Sequence, residues 1–215
     1  MEFTGFTPET IDFLWGIRLN NNRDWFLAHK EDYLETLYHP MLALGDRLRE
    51  AFREVPGMIC KVSRIYRDTR LPRPNGPYKD SLWVSLRPDA LYWGEHPCLY
   101  FELRPEGGEY GFVLWHPQPA AMERFRQDLT AAPDRFLRLA DRAEQETGMV
   151  LSGMEYKRKK PCSDPRAARF MSCKNLMCSR EIPAGPALFE AGLADAAIRN
   201  LTHFLPLYQY VQALE

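Results

Sequence analysis

Apolar positions recur along this chain with two different periods, and the change of period divides it into three stretches. Thr7 and Pro8 form a cap and first-turn pair, after which Ile11, Leu14 and Ile17 share one helical face. Asn20, Asn21 and Asn22 stop that helix, since asparagine favours caps and turns where its side chain satisfies free backbone N–H groups. A second helix is predicted from Asn22, with Trp25 and Phe26 as aromatic core residues behind the cap. From Pro40 onwards Met41, Leu44, Leu48, Ala51 and Phe52 draw the cleanest amphipathic stripe of the sequence, ended by Pro56 and Gly57.

The period then shortens to two. Residues 59–70, 82–87, 98–104 and 109–115 read as strands rich in β-branched and aromatic residues, separated by Pro, Gly and Asn. In the third of these Leu99, Phe101 and Leu103 face one way, and Tyr100, Glu102 and Arg104 the other. The Pro105-Glu106-Gly107-Gly108 connection suits an antiparallel hairpin better than a phosphate loop, because no GxGxxG context surrounds it.

Helical spacing returns after Pro117 with Met122, Phe125 and Leu129, then with Phe136, Ala140 and Ala143 beside Pro133. It returns again at Ile198, Leu201, Leu205 and Tyr208, where Pro206 kinks or restarts the helix. Residues 148–186 show neither period and carry the run Lys157-Arg158-Lys159-Lys160, in a stretch too long for an idle loop. The pattern predicts a single α+β domain over residues 1–215. Its mainly antiparallel central sheet has about four or more strands, flanked by N-terminal and C-terminal helices.

Composition narrows the function classes. With 45% hydrophobic and 13% aromatic residues in 215, the chain can bury a sizeable core. No apolar run approaches the ~20 residues that span a bilayer, and Met1 to Phe6 lack the regions of a signal peptide, so a cytoplasmic protein without a membrane partner is expected. The five cysteines are odd in number and form no CxxC pair, which points to reduced thiols and away from a disulfide framework or zinc site. His29, His39, His96, His116 and His203 lack the spacing of a helical metal pair or a nucleophile motif, so neither metal nor cofactor is called for.

The net charge of −1 conceals a segregation: residues 61–80 carry +4 and residues 151–180 carry +6. Such segments favour small anionic ligands over extended polyanions while the whole protein stays near neutral. The first contains the densest chemistry in the chain, Arg64-Ile-Tyr-Arg-Asp-Thr-Arg70 followed by Pro77-Tyr78-Lys79. Arginine's planar fork suits carboxylate and phosphate groups, so Arg64, Arg67, Arg70 and Lys79 are candidates to hold an anion, with Tyr66, Asn22, Arg23 and Lys174 as further ligand-binding candidates. Extended geometry puts Arg64, Tyr66, Asp68 and Arg70 on one face and Ile65, Arg67 and Thr69 on the other, with same-face neighbours about 6.6 Å apart. A carboxylate flanked by guanidinium groups is a poor base near neutrality, so Asp68 is read as orienting them. Glu102 and Tyr78 join it as candidates to position or transfer protons.

These motifs carry a family resemblance. Asn21-Asn22-Arg23-Asp24-Trp25-Phe26, Arg64 to Arg70, Pro77-Tyr78-Lys79, and a glycine pair with a following tryptophan resemble the widespread microbial family called domain of unknown function 2461. The likeness spans most of the chain and implies a shared fold and a shared site, without naming a substrate. Between Arg70 and Pro77 that family usually has an Asp-Lys pair, where this sequence has Pro74-Asn75.

Three readings of function follow. The first is a cationic pocket for a small phosphorylated or carboxylated ligand, with or without catalysis. The second is a scaffold or protein-interaction domain whose Arg/Asp signature is an internal ion-pair network. The third is a nucleic-acid-binding module built on residues 151–180. The oligomeric state has no signature in the sequence.

Overall fold

A computed structural model describes residues 2–68 and 75–214. In chain order the elements are α1 (Pro8–Leu19), α2 (Arg23–Ala28), the single turn α3 (Lys30–Asp32), a π-helical segment Tyr33–Tyr38, α4 (His39–Ala51), β1 (Met58–Val62), β2 (Leu82–Pro88), β3 (Pro97–Arg104) and β4 (Gly107–Leu114). There follow α5 (Pro119–Ala131), α6 (Pro133–Thr147), α7 (Ala168–Met171), β5 (Leu176–Pro183), α8 (Pro186–Phe189), α9 (Gly192–His203) and α10 (Leu205–Gln212). The fold is α+β, with helices flanking a five-stranded antiparallel open sheet of order β1-β2-β3-β4-β5. Packing resolves into two compact units, each described by itself below.

The first unit comprises Met1–Leu86, Phe101–Glu109 and Glu181–Ile198. Helix α1 begins as its sequence requires: the Thr7 backbone N–H donates to Thr10 Oγ1 at 3.1 Å, and Pro8 occupies the first turn, where no N–H is needed. Its apolar face is buried through Leu14 and Ile17, and α4 buries Met41, Leu44 and Leu48, while Ala51 is left exposed. The π-helical segment between α3 and α4, which apolar spacing does not announce, has a local cause. Pro40 has no N–H to give the carbonyl of Thr36, and its ring crowds that carbonyl, so the backbone widens. The Thr10 hydroxyl takes the vacated place, donating to Thr36 O at 2.6 Å.

The second unit comprises Arg87–Tyr100, Tyr110–Arg180 and Arg199–Glu215. Phe136 is its hub, meeting Phe125 and Phe170 edge-on at 4.8 Å each and Tyr210 at 5.6 Å. Helix α6 ends at Gly148, whose φ of 68° suits a residue without a Cβ, and its N–H closes onto Glu144 O. Pro206 restarts the helix as α10, which buries Leu207 and Tyr208 and leaves Leu205 half-buried.

Two sequence expectations are corrected. The strand read over 59–70 ends as regular sheet at Val62, and Thr69 and Arg70 lie outside the described residues. The stretch 148–186, read as irregular, contains β5, the edge strand next to β4.

Candidate functional site

Beyond β1 the chain stays extended and pairs with the residues that precede β2. Ser63 N–H donates to Trp83 O at 2.8 Å, Lys79 N–H to Ile65 O at 2.7 Å and Arg67 N–H to Pro77 O at 2.9 Å, while Tyr66 and Tyr78 form an antiparallel bridge. The two halves of the signature, separated by the Pro- and Gly-rich turn, therefore lie side by side. Side chains alternate as in a strand: Ile65 is buried and Arg67 half-buried, whereas Arg64, Tyr66 and Asp68 are exposed.

Asn21 locks this pairing to the N-terminal helices. Its Nδ2 donates to Tyr78 O at 2.9 Å and its Oδ1 accepts from Tyr78 N at 3.0 Å. Gly76, at φ 85°, has to lack a side chain because a Cβ there would lie 2.4 Å from Asn21 Oδ1. Asn22 is the cap of α2, accepting from Trp25 N at 3.0 Å, and Phe26 then stacks on Tyr78 at 4.2 Å with Tyr66 edge-on at 5.8 Å. Trp25 is only half-buried; it stacks on His29 at 4.0 Å and fills the space that a side chain at Gly16 would take. Arg23 is exposed, with its charge acting on the Tyr78 hydroxyl.

The cations divide into two groups. Arg67 donates from Nε to Tyr78 O at 2.6 Å and from Nη2 to Asp80 Oδ1 at 3.3 Å. The other oxygen of Asp80 accepts from Arg18 Nε at 2.6 Å, and Arg18 turns the rest of its fork onto both oxygens of Glu106, with Nη2 to Oε2 at 3.2 Å. Arg67, Asp80, Arg18 and Glu106 thus form one half-exposed chain of ion pairs. The carboxylate shared by the two arginines is Asp80.

Arg64 and Lys79 stand outside that chain. Among the described residues Arg64 has neither a hydrogen bond nor an ion pair, and it is exposed. Lys79 is half-buried and makes no ion pair among the described residues; its Nζ lies 4.1 Å from the centroid of the Trp83 ring. Burial pushes the Lys79 amine down to about 8, helped by the charges of Arg64 and Arg67 and opposed by Glu102. Glu102 lies on the polar face of β3, and burial pushes its carboxyl upward, against a hydrogen bond with Ser81 and the charge of Arg104. Burial and the Tyr66 hydroxyl likewise raise Tyr78.

Lys174 belongs to the second unit, where it lies 5.3 Å from the Tyr156 ring, with Lys160 at 5.8 Å and the Arg126 guanidinium at 5.5 Å. In the 157–160 run, Lys159 pairs with Glu155. A cleft of about 310 Å³ lined by Glu2, Thr4, Gly5, Glu35, His39 and Pro40 contains none of the candidate residues. Sequence reasoning missed Arg18, Asn21, Asp80 and Trp83 as members of this arrangement. Asp80 and Trp83 follow the Pro77-Tyr78-Lys79 motif closely in sequence, which is a usable signal, whereas Arg18 reaches it only through tertiary packing.

The fold and the paired signature define an α+β protein in which one polar segment carries both an ion-pair chain and two uncommitted cations. The chain belongs to the conserved hypothetical protein family DUF2461, whose profile matches residues 9–210. No curated protein matches it.

Proposed function

We propose that the protein binds a small anionic ligand, carboxylated or phosphorylated, at Arg64 and Lys79. One observation carries this reading: in a segment where Arg67 and Arg18 are paired with Asp80 and Glu106, Arg64 and Lys79 make no ion pair among the described residues. Burial lowers Lys79 first, and repulsion by Arg64 and Arg67 lowers it further. An incoming anion relieves both costs, and arginine offers it a bidentate fork. Tyr66, exposed beside Arg64, supplies a ring edge and a hydroxyl. Glu102 is the carboxyl whose charge reaches Lys79, so it serves proton transfer if the bound anion reacts. We read the protein as cytoplasmic, a reducing compartment that suits its unpaired thiols.

The chain of ion pairs through Asp80 favours a second reading, a non-catalytic scaffold in which the signature holds the fold. A thermal-shift screen of phosphorylated and carboxylated metabolites separates the two. Saturable stabilisation that Arg64→Gln abolishes supports the anion site. A screen in which no compound raises the melting temperature of the wild-type protein leaves the scaffold.

A further inference from the structure

We propose that Lys79 is a nucleophilic amine, which condenses with the carbonyl group of a small anionic aldehyde or 2-oxo acid to form an imine while Arg64 holds the anionic end. The inference rests on the anion-site reading and names the substrate class of that site. Its basis is the grouping around the amine. Lys79 Nζ is packed over the Trp83 ring with no ion pair among the described residues, and the half-buried side chain feels the charges of Arg64, Arg67 and Glu102. A lysine used only for charge sits in water or in an ion pair, as Lys159 does with Glu155. A lysine desolvated beside other cations has a usable neutral fraction at physiological pH, and the value of about 8 expresses that.

The step balances within the groups present. The neutral amine attacks the carbonyl carbon, giving a carbinolamine. Glu102 takes the proton that the ammonium gives up, returns it to the hydroxyl of the carbinolamine, and water leaves as the nitrogen lone pair forms the C=N bond of the iminium. Starting from the ammonium, the net change is condensation of one ammonium with one carbonyl to one iminium and one water, with no oxidant or reductant. Glu102 suits both halves of this transfer, because burial keeps its carboxyl closer to neutrality than an exposed glutamate. Arg64, exposed and without a partner among the described residues, supplies the fork for a carboxylate or phosphate.

The test uses the full-length protein, sodium cyanoborohydride to trap imines, and three aldehydes: glyoxylate, glycolaldehyde phosphate and uncharged glycolaldehyde. Peptide mapping by mass spectrometry reads the rate of labelling at each lysine. Near neutral pH Lys79 is expected to label at least roughly tenfold faster than Lys157 or Lys160, because its larger neutral fraction outweighs its weaker basicity. The advantage should hold for glyoxylate, for glycolaldehyde phosphate or for both, which tells carboxylate from phosphate recognition. Arg64→Gln should slow labelling by the anionic aldehydes and leave the rate with glycolaldehyde unchanged. Lys79→Arg, which keeps the charge, should lose that adduct.

Labelling of Lys79 no faster than that of the surface lysines overturns the inference. So does equal labelling by charged and uncharged aldehydes in wild type and Arg64→Gln. Binding of glycolate and glycerol phosphate, which carry no carbonyl, is measured alongside. Arg64-dependent binding of these with Lys79 unlabelled rejects the imine and keeps the anion site; absence of both rejects the two together.

Discussion

Asn21 and Tyr78 exchange two hydrogen bonds, Nδ2 to O at 2.9 Å and N to Oδ1 at 3.0 Å, so one asparagine between α1 and α2 closes the backbone of the segment before β2 like a strand partner. This explains why an asparagine in the Asn21-Asn22 pair and the Pro77-Tyr78-Lys79 motif belong together. Asn21→Ala leaves the N–H of buried Tyr78 unmet, while its carbonyl still accepts from Arg67 Nε, and should cost about 1–2 kcal/mol in urea denaturation. Asn21→Asp retains only the acceptor and should still destabilise. Gly76→Ala, which drives a Cβ into Asn21, should cost a similar amount.

Asp80 ties Arg18 to Arg67, both at half-exposed positions. Asp80→Ala should lower stability by about 1 kcal/mol, and the loss should shrink in high salt because solvent screens these pairs. A double-mutant cycle between Arg67→Ala and Asp80→Ala should give a coupling of about 0.5–1 kcal/mol, whereas Arg64→Ala with Asp80→Ala should be additive.

Lys79 gives the stability profile a sign. Its folded value of about 8 lies below the ordinary 10.5, so between those two values the unfolded chain binds more protons than the native protein. Stability from this group therefore rises with pH across that window and is flat below it, where both states are protonated. Lys79→Met should be more stable than wild type below pH 8, with the difference closing towards 10.5. Cys60 and Cys178, pushed by burial from 9.0 up to about 11 and about 12, act in the opposite direction in both proteins. The difference between paired denaturation curves is therefore the quantity to measure.

Thr10 and Pro40 are coupled through one carbonyl. Thr10→Val removes the hydroxyl that satisfies Thr36 O and should destabilise by about 1–2 kcal/mol. In a Pro40→Ala background a backbone N–H is again available to that carbonyl, so the same change should cost less. Equal costs in both backgrounds, by chemical denaturation, would show that the proline does not create the need for Thr10.

How much of this was legible in the sequence depended on whether a segment announced itself locally. Helices with a capped start and an apolar stripe were readable, as with Thr7-Pro8 before α1 and Pro133 before α6, and so was the alternation of β3. Strand β5 was not: as an edge strand it buries Leu176, Cys178 and Ile182, and its exposed centre, Ser179-Arg180-Glu181, hides the period. Its pairing with β4 is written in glycine instead, since a Cβ at Gly111 would lie 2.0 Å from Cys178 O and one at Gly107 2.1 Å from Ile182 O. Gly111→Ala should accordingly be among the most destabilising single changes, seen as a large drop in melting temperature. At the site, the grouping of Arg64, Tyr66 and Lys79 could be read from the motif. The division into paired and uncommitted cations could not, because Arg18 and Glu106 arrive from distant elements.

The claim that Arg64 and Lys79 form one anion site is tested most directly by nitrogen NMR of their side chains during titration with phosphate and with glycolate. The account predicts that Arg64 Nε and Lys79 Nζ shift together, saturably and with a single Kd, while Arg67 and Arg18 hold their positions. An anion that moves neither Arg64 nor Lys79, or that moves only the lysines of the 157–160 run, would contradict it.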